Sequence, residues 1–90
     1  MYLTSSAIKF WTEENPDYPV IICGKRHADI YERMFYMREK YIRETLVEGF
    51  MTNELQFVDR YDATDIAMDA GQIPSDFQNI LLYSEDVWPE

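Results

Sequence analysis

The segment from Asp59 to Gly71 contains both a helix start signal and a helix stop signal, and it constrains the fold more than any other stretch. Asp59 fits an N-cap, and Asp62 follows three residues later in a near capping box. Gly71 ends the helical pattern, and Pro74 lies just beyond it. We therefore predict a short helix with a stripe of small and aliphatic side chains that suits close packing. The stripe consists of Ala63, Ile66, Ala67 and Ala70.

The N-terminal residues predict a β-hairpin. Residues 2–11 alternate between two faces, which favours a strand, although both faces are apolar near its end. Residues 12–19, TEENPDYP, form a turn-rich connection with two prolines. Residues 20–23 are a short, mainly β-branched run that Gly24 closes, and they predict the second strand of the hairpin.

A second helical pattern extends over residues 27–48, which contain neither proline nor glycine. Gly49 follows at the position of a helix C′ stop. Apolar side chains recur at near-helical spacing along this segment, so we predict one long amphipathic helix. The stripe consists of Ile30, Met34, Met37, Tyr41 and Leu46.

The remaining segments predict short extended pieces. Residues 50–52 and 55–58 flank a turn, and residues 80–83 predict a last strand. A chain of 90 residues forms one domain by default. We therefore predict an α+β domain spanning residues 1–90, with an N-terminal β-hairpin, one long and one short helix, and a short C-terminal strand.

Charge is distributed unevenly along this acidic chain. The formal net charge is -9, and residues 51–90 contain nine acids but only one base, Arg60. A pI of about 4.4 disfavours binding to nucleic acid, because phosphate contacts require a basic surface. Carboxylates spread along one face can instead imitate the phosphates of DNA and occupy a DNA-binding protein, or they can simply confer solubility.

The composition also indicates the environment of the protein. Cys23 is the only cysteine, so no intrachain disulfide can form, which fits a reducing cytoplasm. The start lacks a signal peptide, and no apolar run approaches the roughly 18 residues of a membrane span. Aromatic residues make up 16% of the chain, more than a thin core can bury, and we expect some of them at an oligomer interface, most simply that of a homodimer, or on a ligand-binding face.

Neither a metal site nor a catalytic site is predicted. One histidine and one cysteine do not form a paired ligand set. Asp62, Asp65 and Asp69 share a helix face that would attract a hard cation, but no loop supplies converging oxygens. A hydrolase needs a nucleophile, a base and an orienting group within reach, and His27 is the one candidate base. We predict a protein that is not an enzyme and that has no cofactor.

Anion binding suits the chemistry of two places. Lys25, Arg26 and His27 lie between a predicted strand and a predicted helix, where backbone N–H groups favour negative charge. Arg60 begins the short helix and is either a phosphate fork or one partner of a structural ion pair. The sequence leaves that choice open, and it contains no glycine-rich phosphate loop.

Several short elements together resemble a pattern in small phage-encoded proteins. They are GKRH (24–27), GFMT (49–52), FVDR (57–60), AGQ (70–72) and LYSED (82–86). Some proteins with this pattern resemble the anti-defence nucleotide sponges that counter Thoeris immunity. The resemblance implies non-catalytic capture of a small cyclic nucleotide signal by a compact homo-oligomer in the host cytoplasm.

The matched positions suggest how such a ligand would be held. Arg26 and Arg60 would bind phosphates, Asp59 or Asp86 would accept hydrogen bonds from ribose, and an aromatic ring would stack on the base. The full set of proposed ligand-binding residues is Arg26, His27, Phe57, Asp59, Arg60, Tyr83, Ser84 and Asp86.

A different class of function fits the acidity. In this alternative the protein is an acidic inhibitor, a DNA mimic or anti-CRISPR-like protein, which binds a host or defence protein. The carboxylates of such a face would come from Asp62, Asp65, Asp69 and Glu85. A structural accessory role in the virion is a third possibility.

Overall fold

The computed structural model of the protein describes residues 1–37 and 40–89. It confirms the α+β class, with four strands, three α-helices and one short 3-10 turn in the described part of the chain. In chain order these are β1 (Leu3–Phe10), β2 (Val20–Gly24), α1 (His27–Phe35), the 3-10 turn (Arg43–Thr45), β3 (Val47–Thr52), β4 (Phe57–Asp59), α2 (Arg60–Asp69) and α3 (Ser84–Val87).

The four strands form one antiparallel sheet in the order β2-β1-β3-β4. The predicted N-terminal hairpin is confirmed, with Phe10 opposite Val20 at its closed end. The two predicted short extended pieces are confirmed as the β3–β4 hairpin, but the second piece begins at Phe57 and not at residue 55, because Leu55 lies in the turn at a positive φ of 62°. Each hairpin is followed by a helix, so the sheet joins two strand-strand-helix halves along the central β1–β3 pair.

Both longer helices pack on the same face of the sheet. α1 lies on β1 and β2, and α2 lies mainly on β3 and β4. Because strand side chains alternate between faces, every second strand residue points towards the helices. The first half buries Ile8, Phe10, Ile30 and Met34 in one apolar cluster. The second half buries another cluster, which consists of Leu3, Phe50, Ala63, Ala67, Ile73 and Leu82.

The predicted short helix is confirmed as α2. The Asp59 carboxylate accepts a hydrogen bond from the backbone N–H of Asp62 at 2.9 Å, as an N-cap does. Gly71 follows the helix with a φ of +74°, a conformation that favours glycine. Ala63 and Ala67 are fully buried against the sheet, whereas Ala70 at the end of the stripe is exposed.

The predicted long helix over residues 27–48 is wrong, because α1 ends at Phe35. Residues 38 and 39 lie outside the described residues. From Lys40 the chain crosses the end of the first hairpin, where the Ile42 N–H donates to the Trp11 carbonyl at 2.7 Å. Tyr41 and Leu46 still pack against the first apolar cluster, although they reach it without a helix. Their helical spacing was therefore a misleading signal.

Gly49 is not a helix stop as predicted but the middle of β3. A Cβ atom at this position would lie 2.1 Å from the Val58 carbonyl oxygen and 2.7 Å from the ring of Phe57. The adjacent strand and the aromatic ring therefore occupy the space that any other side chain would need.

The predicted C-terminal strand over residues 80–83 is also wrong. This segment crosses α2, where the Thr64 hydroxyl donates to the Ile80 carbonyl at 3.1 Å, so it lies away from the sheet edge. Leu82 enters the second apolar cluster while Ile80 is exposed. The one-turn helix α3 follows directly, and Tyr83, the last residue of the predicted strand, is its N-cap.

Gln72, just after α2, is bonded to the start of β1. Its side-chain amide accepts from the Leu3 N–H and donates to the Leu3 carbonyl, both at 2.9 Å. Leu3 is almost fully buried, so water cannot replace these bonds freely. Gln72 thus takes the role of a neighbouring strand for the first residue of β1.

We expect Gln72→Ala to lower the free energy of unfolding by about 2–3 kcal/mol, because a buried donor and a buried acceptor lose their partner together. Urea unfolding followed by circular dichroism measures the loss. Gln78→Ala is the matched control, since Gln78 is exposed, and it should change stability by less than about 0.5 kcal/mol. Equal effects of the two substitutions would contradict a structural role for the Gln72 amide.

Candidate functional site

A cluster of polar side chains lies between α1 and α2, over the central strands of the sheet. Glu48 on β3 is at its centre, and it faces two donors from different helices. The Arg60 guanidinium lies 2.5 Å from one of its carboxylate oxygens, and the Tyr31 hydroxyl donates to the other. We call Tyr31, Glu48, Arg60 and the adjacent His27 and Tyr83 the polar cluster. It separates the two apolar clusters of the core.

Arg60 is enclosed by this arrangement. Only 18% of its side-chain surface is exposed, and its guanidinium lies 4.6 Å from the centre of the Tyr83 ring in a cation–π contact. Its Nε atom is buried without a hydrogen-bond partner among the described residues. Of the two roles that the sequence left open for Arg60, the structure shows an ion pair with Glu48.

His27 is a buried link between α1 and β3. Its Nε2 atom lies 2.8 Å from the Gly49 carbonyl oxygen, and since a carbonyl can only accept, Nε2 is the donor. The ring also packs edge-on against Phe50. Burial lowers the pKa of His27, although the bond to the carbonyl opposes this change. The ring is therefore neutral at pH 7, and its contacts are those of a structural residue.

Tyr31 is the second titratable group that the cluster perturbs. Burial raises the pKa of its hydroxyl, and the hydrogen bond to the Glu48 carboxylate raises it further. The phenol is therefore a hydrogen-bond donor across the physiological range and not a nucleophile.

Arg26 lies beside the polar cluster, at the N-terminus of α1. Its Nη1 atom is 3.7 Å from a carboxylate oxygen of Glu85, which is an ion pair but too long for a hydrogen bond. The same atom is buried without a hydrogen-bond partner among the described residues. The neighbouring Ser84 is buried, and its hydroxyl faces Glu85 at 3.3 Å. Arg26 thus keeps some capacity to bind a further acceptor.

The two aspartates predicted to contact ribose cap helices. Asp59 caps α2, and a carboxylate oxygen of Asp86 accepts from the Tyr83 N–H at 2.9 Å at the start of α3. Each carboxylate already has a backbone partner. A helix cap of this kind contributes about 1 kcal/mol to stability, so a structural role accounts for both aspartates without a ligand.

Phe57 is separated from the other predicted ligand-binding residues. Its neighbour Val58 packs in the second apolar cluster, so strand alternation places Phe57 on the sheet face without helices. There the Lys9 ammonium lies 5.6 Å from the Phe57 ring and 5.3 Å from the Trp11 ring. The structure therefore brings together Arg26, His27, Arg60, Tyr83 and Ser84, but not Phe57.

The alternative set of acidic residues is presented to solvent. Asp62, Asp65 and Asp69 are exposed on the outer side of α2, and Glu85 is exposed on α3. Exposed Tyr61 lies beside them. Within residues 1–37 and 40–89, no three His, Cys, Asp or Glu side chains are grouped as metal ligands would be.

A family comparison decides the relationship of the chain to known proteins. The family described as Phage T4 y16D protein matches residues 2–88. The chain belongs to the phage T4 y16D family. This confirms that it is related to small phage proteins, whereas the wider motif pattern and the similarity to nucleotide sponges remain predictions. No curated protein and no solved structure matches the chain.

Two residues of the polar cluster in this y16D-family protein were missed from the sequence. Tyr31 and Glu48 were both assigned to one long helix, and no local motif marks either of them as a partner of Arg60. Glu48 lies next to Arg60 because β3 pairs with β4, with Gly49 opposite Asp59. Tyr31 reaches Glu48 because β3 also pairs with β1, which is a long-range feature. In the described part of the chain, none of the helices is long and apolar enough to cross a membrane.

Proposed function

We propose that this y16D-family protein is a non-catalytic phage inhibitor, which uses the acidic outer side of α2 to bind a basic surface of a host or defence protein. One observation supports the proposal most. Among the described residues 51–89, Arg60 is the only base, and it is enclosed with Glu48, whereas Asp62, Asp65 and Asp69 are exposed. The outer surface of this half therefore presents acids without a neighbouring exposed cation.

The spacing of these acids suits a basic partner. With a rise of about 1.5 Å per residue, Asp65 lies roughly 4.5 Å and Asp69 roughly 10.5 Å along the helix axis from Asp62. These intervals are of the same order as the axial spacing of about 3.4 Å between phosphates along one strand of DNA. Exposed Tyr61 adds an aromatic anchor of the kind that protein interfaces favour. The field of the net charge of -9 also steers a basic partner towards the protein.

We expect the triple variant Asp62→Asn, Asp65→Asn, Asp69→Asn to bind its partner at least about ten-fold more weakly at physiological salt. The partner is first captured on the tagged protein from defence-carrying cells and identified by mass spectrometry, and its affinity is then measured pairwise with purified components. The matched control is Glu13→Gln, Glu14→Gln, Asp17→Asn, which removes the same charge from exposed positions in the β1–β2 connection. Equal weakening by both triple variants, or by neither, would contradict a specific role for α2.

Capture of a cyclic nucleotide signal is the second candidate function. It is supported by the buried guanidinium nitrogens of Arg26 and Arg60 that lack hydrogen-bond partners among the described residues. It ranks second because each arginine already lies beside a carboxylate. The same captured material therefore also serves for small-molecule mass spectrometry. A cyclic nucleotide that is present there, and lost with Arg26→Ala, would favour this candidate over the protein inhibitor.

The predicted homodimer stays part of the proposal. Phe35 and Tyr36 at the end of α1 are 81% and 77% exposed, and their rings contact each other edge to face. Large exposed aromatic side chains of this kind are common at protein interfaces, which supports the prediction that a second copy or another protein contacts this end of α1.

A further inference from the structure

A cavity of about 260 Å³ lies at the end of the sheet where β1 begins and β2 ends. Its lining includes Thr4, Ser5, Lys25 and Trp88. None of these residues belongs to the acidic outer side of α2 or to the polar cluster. An inference about this cavity therefore goes beyond both functions proposed above.

An irregularity in β1 builds one wall of the cavity. Thr4 and Ser5 are adjacent in a strand, and adjacent strand side chains normally point to opposite faces. The pairing register between β1 and β3 shifts between Leu3 and Ser5, as it does at a β-bulge. The shift allows both hydroxyl-bearing side chains to line the same space, and the Thr4 hydroxyl is anchored by donation to the Met51 carbonyl at 3.2 Å. Bulges often re-aim side chains in this way next to functional sites.

The other walls are a cation and an aromatic ring. The backbone of Lys25 is held in place because the buried Ser6 hydroxyl donates to its carbonyl at 3.0 Å, while its side chain is exposed. Trp88 is half-buried, with its ring centre 6.1 Å from that of Phe50, and its backbone N–H donates to the Ser84 carbonyl at 2.9 Å. The indole is thus fixed on one side by the core and borders the cavity on the other.

We propose that this cavity binds a small anion that contains a planar ring, of the class of a nucleoside monophosphate. Its lining residues are a lysine, two hydroxyl-bearing residues and a tryptophan, and none of the described lining side chains is a carboxylate although the chain is strongly acidic. A phosphate receives charge-assisted hydrogen bonds from Lys25, and a base stacks on Trp88. The volume lies just below the roughly 300–1,000 Å³ of sites for drug-sized ligands, which favours a single nucleotide over a cyclic oligonucleotide.

The fluorescence of Trp88 provides a direct measurement. The chain contains two tryptophans, so Trp11→Phe leaves Trp88 as the only one. Titration with adenosine monophosphate is expected to change its fluorescence saturably. Added to this background, Lys25→Met should raise the Kd at least about ten-fold, because a charge-assisted bond to the phosphate is lost. Lys40→Met is the matched control and should leave the Kd unchanged, since Lys40 lies at the opposite end of β1, next to the Thr12–Tyr41 bridge.

Several results would overturn the proposal. They are the absence of saturable binding by adenosine or cytidine monophosphate, an unchanged Kd for Lys25→Met, and binding of adenosine as tight as that of its monophosphate. Inorganic phosphate alone should bind far more weakly, and equal affinity would refute the stacking on Trp88. Isothermal titration calorimetry on the unsubstituted chain gives the same Kd independently of the Trp11→Phe background. Far-UV circular dichroism verifies that each variant is folded.

Discussion

Replacing Gly49 by alanine is expected to cost about 4 kcal/mol or more, which is a large part of the stability of a domain this size. The added methyl group would lie 2.1 Å from the Val58 carbonyl oxygen and 2.7 Å from the Phe57 ring. The ring can rotate away, but the carbonyl belongs to the backbone of β4, which pairs with β3. The substitution must therefore push the two strands apart at the point where the Gly49 carbonyl also accepts from His27.

Urea unfolding of the purified protein, or its yield in soluble form, measures the effect of Gly49→Ala. Gly71→Ala is the control, because a Cβ atom there meets no atom within 4 Å and the only cost is the positive φ, about 1 kcal/mol. The two glycines therefore separate steric exclusion from backbone conformation. A smaller loss for Gly49→Ala than for Gly71→Ala would show that β3 and β4 do not approach as closely as described.

The second large effect is expected at the polar cluster. Arg60→Met removes the cation that faces Glu48 and leaves a carboxylate that is only 26% exposed with the Tyr31 hydroxyl as its remaining side-chain partner. Breaking a buried ion pair from one side costs about 3–5 kcal/mol, and the partial exposure here places the expected loss near 3 kcal/mol. Arg60→Met also removes the cation–π contact of the guanidinium with the Tyr83 ring, so the loss reports on both contacts of the cation.

A double variant isolates the ion pair from the packing. Arg60→Met combined with Glu48→Gln removes both charges but keeps an acceptor for the Tyr31 hydroxyl, so it should recover at least half of the stability lost in Arg60→Met. Equilibrium unfolding of the wild type, both single variants and the double variant completes the cycle. If the losses of the single variants simply add, Glu48 and Arg60 are not energetically coupled.

The comparison of sequence and structure shows which signals are local. The bounds of α2 were predictable because Asp59 and Gly71 act on their own backbone, through a cap and a positive φ. The first hairpin was predictable because a turn-rich connection separates two extended runs. The end of α1 was not predictable, because Tyr41 and Leu46 have helical spacing although they lie in a non-helical connection. This connection is held by the hydrogen bond to the Trp11 carbonyl, and it brings both side chains to the core.

The candidate site was predictable only in part, because local sequence signals do not show which residues the pairing of strands brings together. Arg26, His27, Arg60 and Tyr83 were selected for their chemistry, and the structure places them near one another. Their main partner, Glu48, was not selected because it was predicted to end the long helix, whereas it lies on β3 beside the Gly49–Asp59 pair of the β3–β4 hairpin, and this register brings it to Arg60. Phe57 was selected for its aromatic ring, but side chains alternate along the three-residue strand β4, so that ring points to the sheet face without helices.

The bond between Gln72 and Leu3 has a consequence for when the chain can fold. The first residue of β1 depends on a side chain that is 69 positions later, and its neighbour strand β3 ends only at Thr52. A ribosome that adds roughly 5–20 residues per second delivers Gln72 several seconds after Leu3. Until β3 has been made, at Thr52, the first hairpin has no third strand, and an isolated hairpin is at best marginally stable. The first hairpin is therefore stabilised only after β3 joins it, and the first residue of β1 gains its last backbone partner only after α2 has been made.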